Sequence, residues 1–342
     1  MNLNNKLKIF NDPIYGFITI PNSLIFELIE HRYFQRLRRI TQMGLSYLVY
    51  PGAHNTRFHH ALGSMHLMQK AVRILRFKGV TISKEEENAL YIAILLHDIG
   101  HGPFSHAMEH SIVEGITHEE ISLLFMQKLN EEFNGNLTLA IEIFKGEYHR
   151  KFMDQLVSSQ IDMDRADYLK RDSFYTGVAE GMIGYERILQ TINVKEGRLV
   201  IDEKGIHSIE KFLVSRHLMY LQVYMHKTVL ALEQMLILLT DRLRYLLNNE
   251  IPVTLSEPLS TLLQMSEADF LDSNFLKTYL QLDDYDLMYV IKNGITHHDF
   301  VFAHLCDCLL NRKIFHIDWI FLSEKRYLLN SKRLEIQRSL GV

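Results

Sequence analysis

Two cysteines, six prolines and one tryptophan in 342 residues leave several classes of protein without material. Cys306 and Cys308 stand one residue apart in HLCDCLL, so on a helix they point in different directions. They read as packing thiols, which excludes a disulfide scaffold and a cysteine metal clip. The scarcity of proline leaves long helices uninterrupted. A basic excess is also missing. The 37 Lys and Arg against 41 Asp and Glu give a net charge of −4, which argues against a general nucleic-acid or anionic-membrane binder but leaves room for a local basic pocket. The longest strongly apolar stretch, Val229 to Leu239, is broken by Glu233 and Gln234 and is too short to span a bilayer. The first residues, MNLNNKLKIFND, carry neither an apolar signal region nor a cleavage site, so the expectation is a cytoplasmic protein with no membrane partner.

What is present is apolar surface at helical spacing. With 47% hydrophobic residues the chain can bury a large core, and its length suggests about two units. Phe58, Leu62, Met65, Met68 (or Gln69), Val72 and Leu75 form one stripe, while Ala89 to Leu96 is too uniformly apolar to face water and predicts a central helix. Further helices are predicted at Leu24–Thr41, His118–Asn134, Gln160–Phe174, Ser208–Leu247 and Asp286–Asn293. Strand signals are few: weak alternation over Gly16–Pro21, and a hairpin over Val194–Asp202 turning at Glu196-Gly197. The expected fold is therefore all-α, with a few short strands. A break in periodicity near Asn248–Pro258 divides a catalytic unit, residues 1–247, from a smaller helical unit, residues 248–342. The charged final stretch SEKRYLLNSKRLEIQRS reads as a solvated face rather than a partner-binding helix.

The chemistry clusters in the first half. Nine of the 18 histidines fall between His54 and His118. His97-Asp98 ends the uniformly apolar helix and runs into Ile99-Gly100-His101-Gly102-Pro103. Burying two adjacent ionisable groups unpaired costs several kcal/mol, roughly, and a divalent cation satisfies both. His59-His60 opens the preceding helix in TRFHHALG, where Gly63 and Ser64 allow close helix approach. In QIDMDRADYLKRD, Asp164, Tyr168, Arg171 and Asp172 stand at offsets of four, seven and eight, which predicts one shared wall. A mixed imidazole and carboxylate set suits a borderline first-row cation or Mg²⁺ with positions left open. Such a cation activates water and polarises a phosphoryl oxygen. Arg57, Arg165, Arg216 and Lys227 are candidate counter-charges for phosphate.

The blocks NDPIYGFITIP, FQRLRRITQMG, YPGAHNTRFHHALG, LLHDIGHGPFSH, THEE and IDMDRADYLKRD, in this order, resemble the HD-domain deoxynucleoside triphosphate triphosphohydrolases. The chain is similar in particular to the animal SAM-and-HD-domain enzyme and its bacterial relatives, over roughly Lys6 to Phe315, without the SAM domain. The resemblance implies a helical fold and attack of water on the α-phosphate of a dNTP, giving deoxynucleoside and triphosphate. It implies one divalent metal ion per subunit (Fe, Mn, Zn or Mg) on His60, His97, Asp98 and Asp164. His101 and His106 match phosphate-facing histidines. His118 matches the general acid or base, with Glu119 or Glu109 orienting it. Arg57, Arg165, Arg216 and Lys227 match or replace phosphate contacts, Arg165 standing where a close relative has lysine. Gln42 and Asp172 match residues that read the sugar 3′-hydroxyl, and Tyr168 and Tyr224 those that exclude a 2′-hydroxyl. Tyr220, one turn before Tyr224, reads on its own as an ordinary core aromatic.

The resemblance further implies a homodimer or homotetramer and a guanine-nucleotide effector. Lys8, Gln35 and Arg38 match part of the effector site, with Glu30 in place of an aspartate. A second effector site is depleted, because Asp202 and Ser208 stand where the animal enzyme has basic and amide contacts. Two rival readings remain: a phosphohydrolase acting on another phosphoester, such as a nucleoside monophosphate, with an identical metal site, and a catalytically silent nucleotide-binding scaffold. The four-ligand set argues against the scaffold, which has no need of it.

Overall fold

The computed structural model describes residues 8–108, 111–112, 115–265 and 273–317. The described residues form a helical fold with two small two-stranded antiparallel sheets. β1 (Ile9–Asp12) pairs with β2 (Gly16–Thr19), joined through Asp12, whose Oδ1 accepts from the Ile14 and Tyr15 amides. The alternation over Gly16–Pro21 thus marked one strand of a hairpin; its partner, four residues long, was not predicted. The second hairpin falls where expected, with β3 (Ile192–Lys195) and β4 (Arg198–Ile201) turning at Glu196-Gly197.

The predicted helix Leu24–Thr41 is three pieces: α1 (Ser23–Glu30), α2 (Arg32–Gln35) and a 3₁₀ turn over Arg36–Arg39. The break has a local cause. Extended His31 ends α1, and its imidazole caps α2 by accepting from the Tyr33 amide. α3 (Arg57–Phe77) buries the predicted stripe of Phe58, Leu62, Met65, Met68, Val72 and Leu75. α4 (Lys84–Leu96) starts at a capping box between Ser83 and Glu86 and is buried throughout its last two turns. α5 (His118–Glu132) starts at a second capping box, Thr117 with Glu120.

After α6 (Thr138–Phe144) and α7 (Lys151–Val157), α8 (Met163–Thr176) begins later than predicted because Asp162 caps it, accepting from the Arg165 amide at 2.7 Å. α9 (Tyr185–Thr191) leads into the second hairpin. The long helix predicted over Ser208–Leu247 is α10 (Ile206–Met219), a π-helical turn at Tyr220–Tyr224, and α11 (Lys227–Asn248), whose N-cap is His226. α12 (Glu257–Gln264), α13 (Ser273–Tyr279), α14 (Asp284–Gly294) and α15 (Phe300–Leu310) complete the described chain. Both cysteines are buried on α15. α3 packs on α4 and α8, which brings three separated segments to one point, and α11 packs on α15. Among the described residues no helix is long and apolar enough to cross a membrane. The charged stretch SEKRYLLNSKRLEIQRS and Glu109 lie outside the described residues.

Candidate metal centre and substrate cavity

His60 sits one turn into α3, His97 caps the end of α4, and Asp164 lies in the first turn of α8. Their ligand atoms converge: His60 Nε2 lies 3.1 Å from Asp164 Oδ1 and 3.4 Å from His97 Nε2, and His97 Nε2 lies 3.4 Å from Asp164 Oδ1. Ligands about 2.1 Å from a shared first-row cation stand roughly 3.0–3.4 Å apart at octahedral to tetrahedral angles. The observed separations match the edges of such a polyhedron, so these three residues fit a metal ion. Asp98 joins at the rim, with Oδ1 3.4 Å from His97 Nε2 and Oδ2 3.5 Å from His60 Nε2.

Both imidazoles are fixed from behind. His60 Nδ1 donates to Asp167 Oδ2 at 2.8 Å and His97 Nδ1 to the Ile94 carbonyl at 2.6 Å, which turns each Nε2 lone pair into the centre. Asp167 is itself held by Arg171 (2.9 and 3.0 Å), which reaches Asp12 at 2.8 Å. Burial opposes charge on His60, but hydrogen bonds to Asp164 and Asp167 outweigh it and push its pKa up to about 10. Burial likewise opposes the Asp164 carboxylate, and His60 and His97 hold it below the usual range nonetheless. The centre thus favours positive charge between these groups. Gly63 makes the geometry possible, because a Cβ there would stand 2.0 Å from Asp167 Oδ1 and 2.2 Å from Arg171.

The loop after His97-Asp98 is pinned on two sides. Ser122 Oγ on α5 accepts from the Gly100 amide and donates to the His97 carbonyl, and a Cβ at Gly100 would meet the His118 carbonyl at 2.2 Å. From the other side Tyr279 donates to the Gly100 carbonyl at 2.8 Å, and buried Arg36 ties the Leu282 carbonyl to the same region. Phe104 and Ser105 adopt left-handed backbone (φ 53° and 54°). Asp284 holds this turn: Oδ1 accepts from the Phe104 amide at 2.7 Å and Oδ2 from the Thr41 amide at 2.9 Å. Arg57 then bridges Ser105 Oγ and Asp98.

A cavity of about 800 Å³ opens over the centre, lined by Gln42, Arg57, His97, Asp98, His106, His118, Glu119, Asp164, Arg165, Tyr168, Asp172, Tyr220 and Tyr224 among others. His101 and His118 stack with ring centroids 3.9 Å apart, and His106 meets both edge-on. Burial, then Arg57, holds the His101 imidazole neutral, well below its ordinary pKa. His118 Nδ1 lies 3.3 Å from Glu119 Oε2. Across the cavity Tyr224 donates to Asp172 Oδ2 at 2.8 Å, Asn55 approaches Asp172 Oδ1, and burial pushes the Asp172 carboxyl up to about 6. Gln42 Oε1 is buried without a hydrogen-bond partner.

Residues 57–172 match the HD domain family, and residues 183–271 match the HD-associated region. The chain is 47% identical to a phosphohydrolase from Bacteroides thetaiotaomicron VPI-5482, whose crystal structure superposes with a TM-score of 0.92 over 98% of this chain and 84% of that one. The chain belongs to the HD-domain phosphohydrolase family. It is 35% identical to the Bacillus subtilis protein YwfO over 91% of this chain and 72% of that one. It is also 29% identical to the deoxynucleoside triphosphate triphosphohydrolase SAMHD1 homolog of Dictyostelium discoideum, over 67% of this chain and 48% of that one, so it spans about half the length of that relative.

Not every predicted residue of this HD phosphohydrolase faces the cavity. Arg171 was expected on the wall with Asp164, Tyr168 and Asp172, but it is fully buried beneath His60. At about 100° per residue, offset seven falls about 20° to one side of Asp164, whereas offsets four and eight fall about 40° and 80° to the other. Arg216 and Lys227 are not among the lining residues. Arg216 donates to Gln160 at 2.9 Å, and Lys227 is exposed at the first position of α11. His60 and His101 lie beneath the lining rather than on it. The effector-like residues form an outer surface group: Lys8 lies over Phe26, Gln35 donates to the Ile29 carbonyl, Arg38 donates to Gln35 and covers Phe58, and Glu30 is exposed. Asp202 holds Lys78. Asp167, Ser105, Asp284, Tyr279 and the cavity-lining Lys145, Asp154 and Glu233 were not singled out from sequence as site residues. Only Asp167, one turn after Asp164, carried a readable signal.

Proposed function

We propose that this chain hydrolyses deoxynucleoside triphosphates to deoxynucleoside and intact triphosphate. The observation that carries the reading is the presence, in one cavity, of a metal-ligand centre and of the polar groups Gln42, Asp172 and Tyr224. A divalent cation held by His60, His97, Asp98 and Asp164 would supply Lewis acidity to the α-phosphate and its attacking water. The protein's own groups account for the rest. Arg57 and Arg165 offset phosphate charge, and His106 faces the phosphoryl oxygens, backed by the neutral His101 ring beneath it. His118, oriented by Glu119, protonates the departing 5′-oxygen. The Asp172 carboxylate accepts the single hydrogen of the 3′-hydroxyl and the Gln42 side-chain amide lies beside it, while Tyr168 and Tyr224, with centroids 6.2 Å apart, fill the space a 2′-hydroxyl needs. Arg216 and Lys227 reach phosphate on this reading only by moving from their present positions. Assembly as a homodimer or homotetramer, with a guanine nucleotide at Lys8, Gln35 and Arg38, belongs to the same proposal.

The test is hydrolysis of four dNTPs and four NTPs with chromatographic product identification. Triphosphate release with dNTPs preferred supports the reading. Release of phosphate from a nucleoside monophosphate, with dNTPs untouched, replaces it with the general phosphoesterase alternative.

A further inference from the structure

Gln42 and Asp172, the two groups set at the 3′-hydroxyl, come from distant segments, and one residue touches both. Asn55 lies in the stretch between the 3₁₀ turn Gly44–Leu48 and α3, and it is only 1% exposed. Its backbone carbonyl accepts from the Gln42 amide at 2.9 Å. Its side-chain Nδ2 donates to Asp172 Oδ1 at 3.4 Å, while Tyr224 donates to Asp172 Oδ2 at 2.8 Å. The carboxylate therefore has a donor on each oxygen, which fixes its plane. With Tyr224 alone it is free to turn about the Cβ–Cγ bond, whose rotamer wells are broad. Asn55 is not among the lining residues of the cavity, so it reaches a substrate only through the groups it holds.

The stretch that carries Asn55 is itself held in place. Tyr50 donates to the Gln222 carbonyl in the π-helical turn that presents Tyr224, and its ring meets His226, the N-cap of α11, edge-on. The Ala53 and His54 amides donate to the Tyr50 and Gly52 carbonyls at 2.9 and 2.8 Å, which folds the stretch on itself. Gly52 presses on α8 just beyond Asp172, where a Cβ would meet the Tyr175 carbonyl at 2.5 Å. On the other side of Asn55 a backbone bridge joins Thr56 to Thr41. Asn55 is thus located against Gln42, Asp172 and Tyr224 together. It also carries a cost, because its Oδ1 is buried and accepts from no described residue. A nonpolar side chain of similar size would fill the space without that penalty, so packing does not account for an amide here, whereas a donor for Asp172 does.

We propose that Asn55 is a positioning residue for sugar recognition, setting the Asp172 carboxylate to accept the 3′-hydroxyl with Gln42 beside it; the inference rests on the dNTP reading above. The experiment measures kcat and KM for each dNTP and its 2′,3′-dideoxy counterpart with metal-loaded wild type, Asn55→Ala, Asn55→Asp, Asp172→Asn and the Asn55→Ala, Asp172→Asn double variant. Thermal melting and metal content establish that each is folded and loaded, and Asn55→Asp, which keeps the side-chain shape but not the donor, reads the same quantity if the alanine variant does not fold. Wild type should favour the dNTP over the dideoxy compound by about tenfold or more in kcat/KM, as a hydrogen bond to a carboxylate allows. Both Asn55 variants should bring that ratio towards one, with the loss falling on the KM of the dNTP. The losses of Asn55→Ala and Asp172→Asn should not add, since one residue acts through the other. A folded Asn55 variant that keeps the wild-type ratio, or losses that add in full, would show that Asn55 only supports the fold and would overturn the assignment while leaving the triphosphohydrolase reading intact. Turnover of no dNTP by wild type overturns that reading, and this assignment with it.

Discussion

Gly63→Ala adds a single methyl group, at the point where α3 crosses the ion pair behind the metal centre. On an exposed helix the change would stabilise by about 1 kcal/mol through helix propensity. Here the new Cβ would stand 2.0 Å from Asp167 Oδ1 and 2.2 Å from Arg171, against contact distances that real Cβ atoms do not go below about 3.0 Å. Neither neighbour can swing away, because Asp167 and Arg171 are fully buried and Asp167 bonds both Arg171 and His60. The helices must part or the network must break. Overpacking costs about 1–3 kcal/mol and breaking a buried ion pair about 3–5 kcal/mol, so where both occur the net loss after the propensity gain is about 3–7 kcal/mol. Denaturant midpoints of chelator-stripped wild type and variant read the stability, and titration with a divalent cation reads the centre. The variant should lose both stability and metal affinity, since His60 is no longer held. A Gly63→Ala protein within about 1 kcal/mol of wild type that binds metal equally well would refute the argument.

Asp164→Ala should abolish stoichiometric metal in elemental analysis of gently purified protein, and Asp98→Ala should do so with nearly all activity lost; full turnover by a metal-free Asp98→Ala protein would contradict the ligand set. Asp284→Ala leaves the buried Phe104 amide and the half-buried Thr41 amide without their acceptors, at about 1–3 kcal/mol for the buried one, and should lower the melting temperature and loosen the Phe104–Ser105 turn. Burial holds the Asp284 carboxyl up to about 6, so its protonated form stabilises the native state fully below its unfolded pKa of roughly 4, and that contribution is lost as pH rises through about 6. The stability of wild type relative to Asp284→Asn should therefore fall between about pH 4 and pH 6, and paired denaturant melts that stay parallel across that window would contradict the burial argument. His118→Ala should slow the chemical step with metal retained, and Tyr224→Ala should raise NTP turnover relative to dNTP turnover. Unchanged single-turnover rates, or an unchanged sugar preference, count against those roles.

The legible parts of the molecule were those with local causes. The α4 helix announced itself by an apolar run with no polar face, and the same run made His97-Asp98 anomalous. Gly63 was readable as a close approach, though not which side chains it admits. The splitting of Leu24–Thr41 at His31 was hidden because apolar periodicity continues across an imidazole cap. The π-helical turn that aims Tyr220 and Tyr224 left no mark in the spacing. Arg171 was misassigned because one turn of helix blurs 20° from 80°, and here that difference separates a cavity wall from a buried ion pair. Tyr279, Leu282 and Asp284 were out of reach altogether. Tyr279 and Asp284 lie 179 and 180 residues from the Gly100 and Phe104 backbone they hold, the Leu282 carbonyl lies 246 residues from the Arg36 it accepts from, and a tyrosine, a carbonyl and an aspartate carry no motif. The same holds for Glu233, whose sequence context reads as an interrupted apolar stripe.

The central claim is attack of water at the α-phosphorus of a bound dNTP with the 5′-oxygen as leaving group, and hydrolysis in ¹⁸O-enriched water tests it most directly. The account predicts one ¹⁸O in the α-derived end of released triphosphate and none in the deoxynucleoside, whose 5′-oxygen leaves with its original isotope. Label in a deoxynucleoside monophosphate or in pyrophosphate, or in the 5′-hydroxyl of the deoxynucleoside, would contradict it.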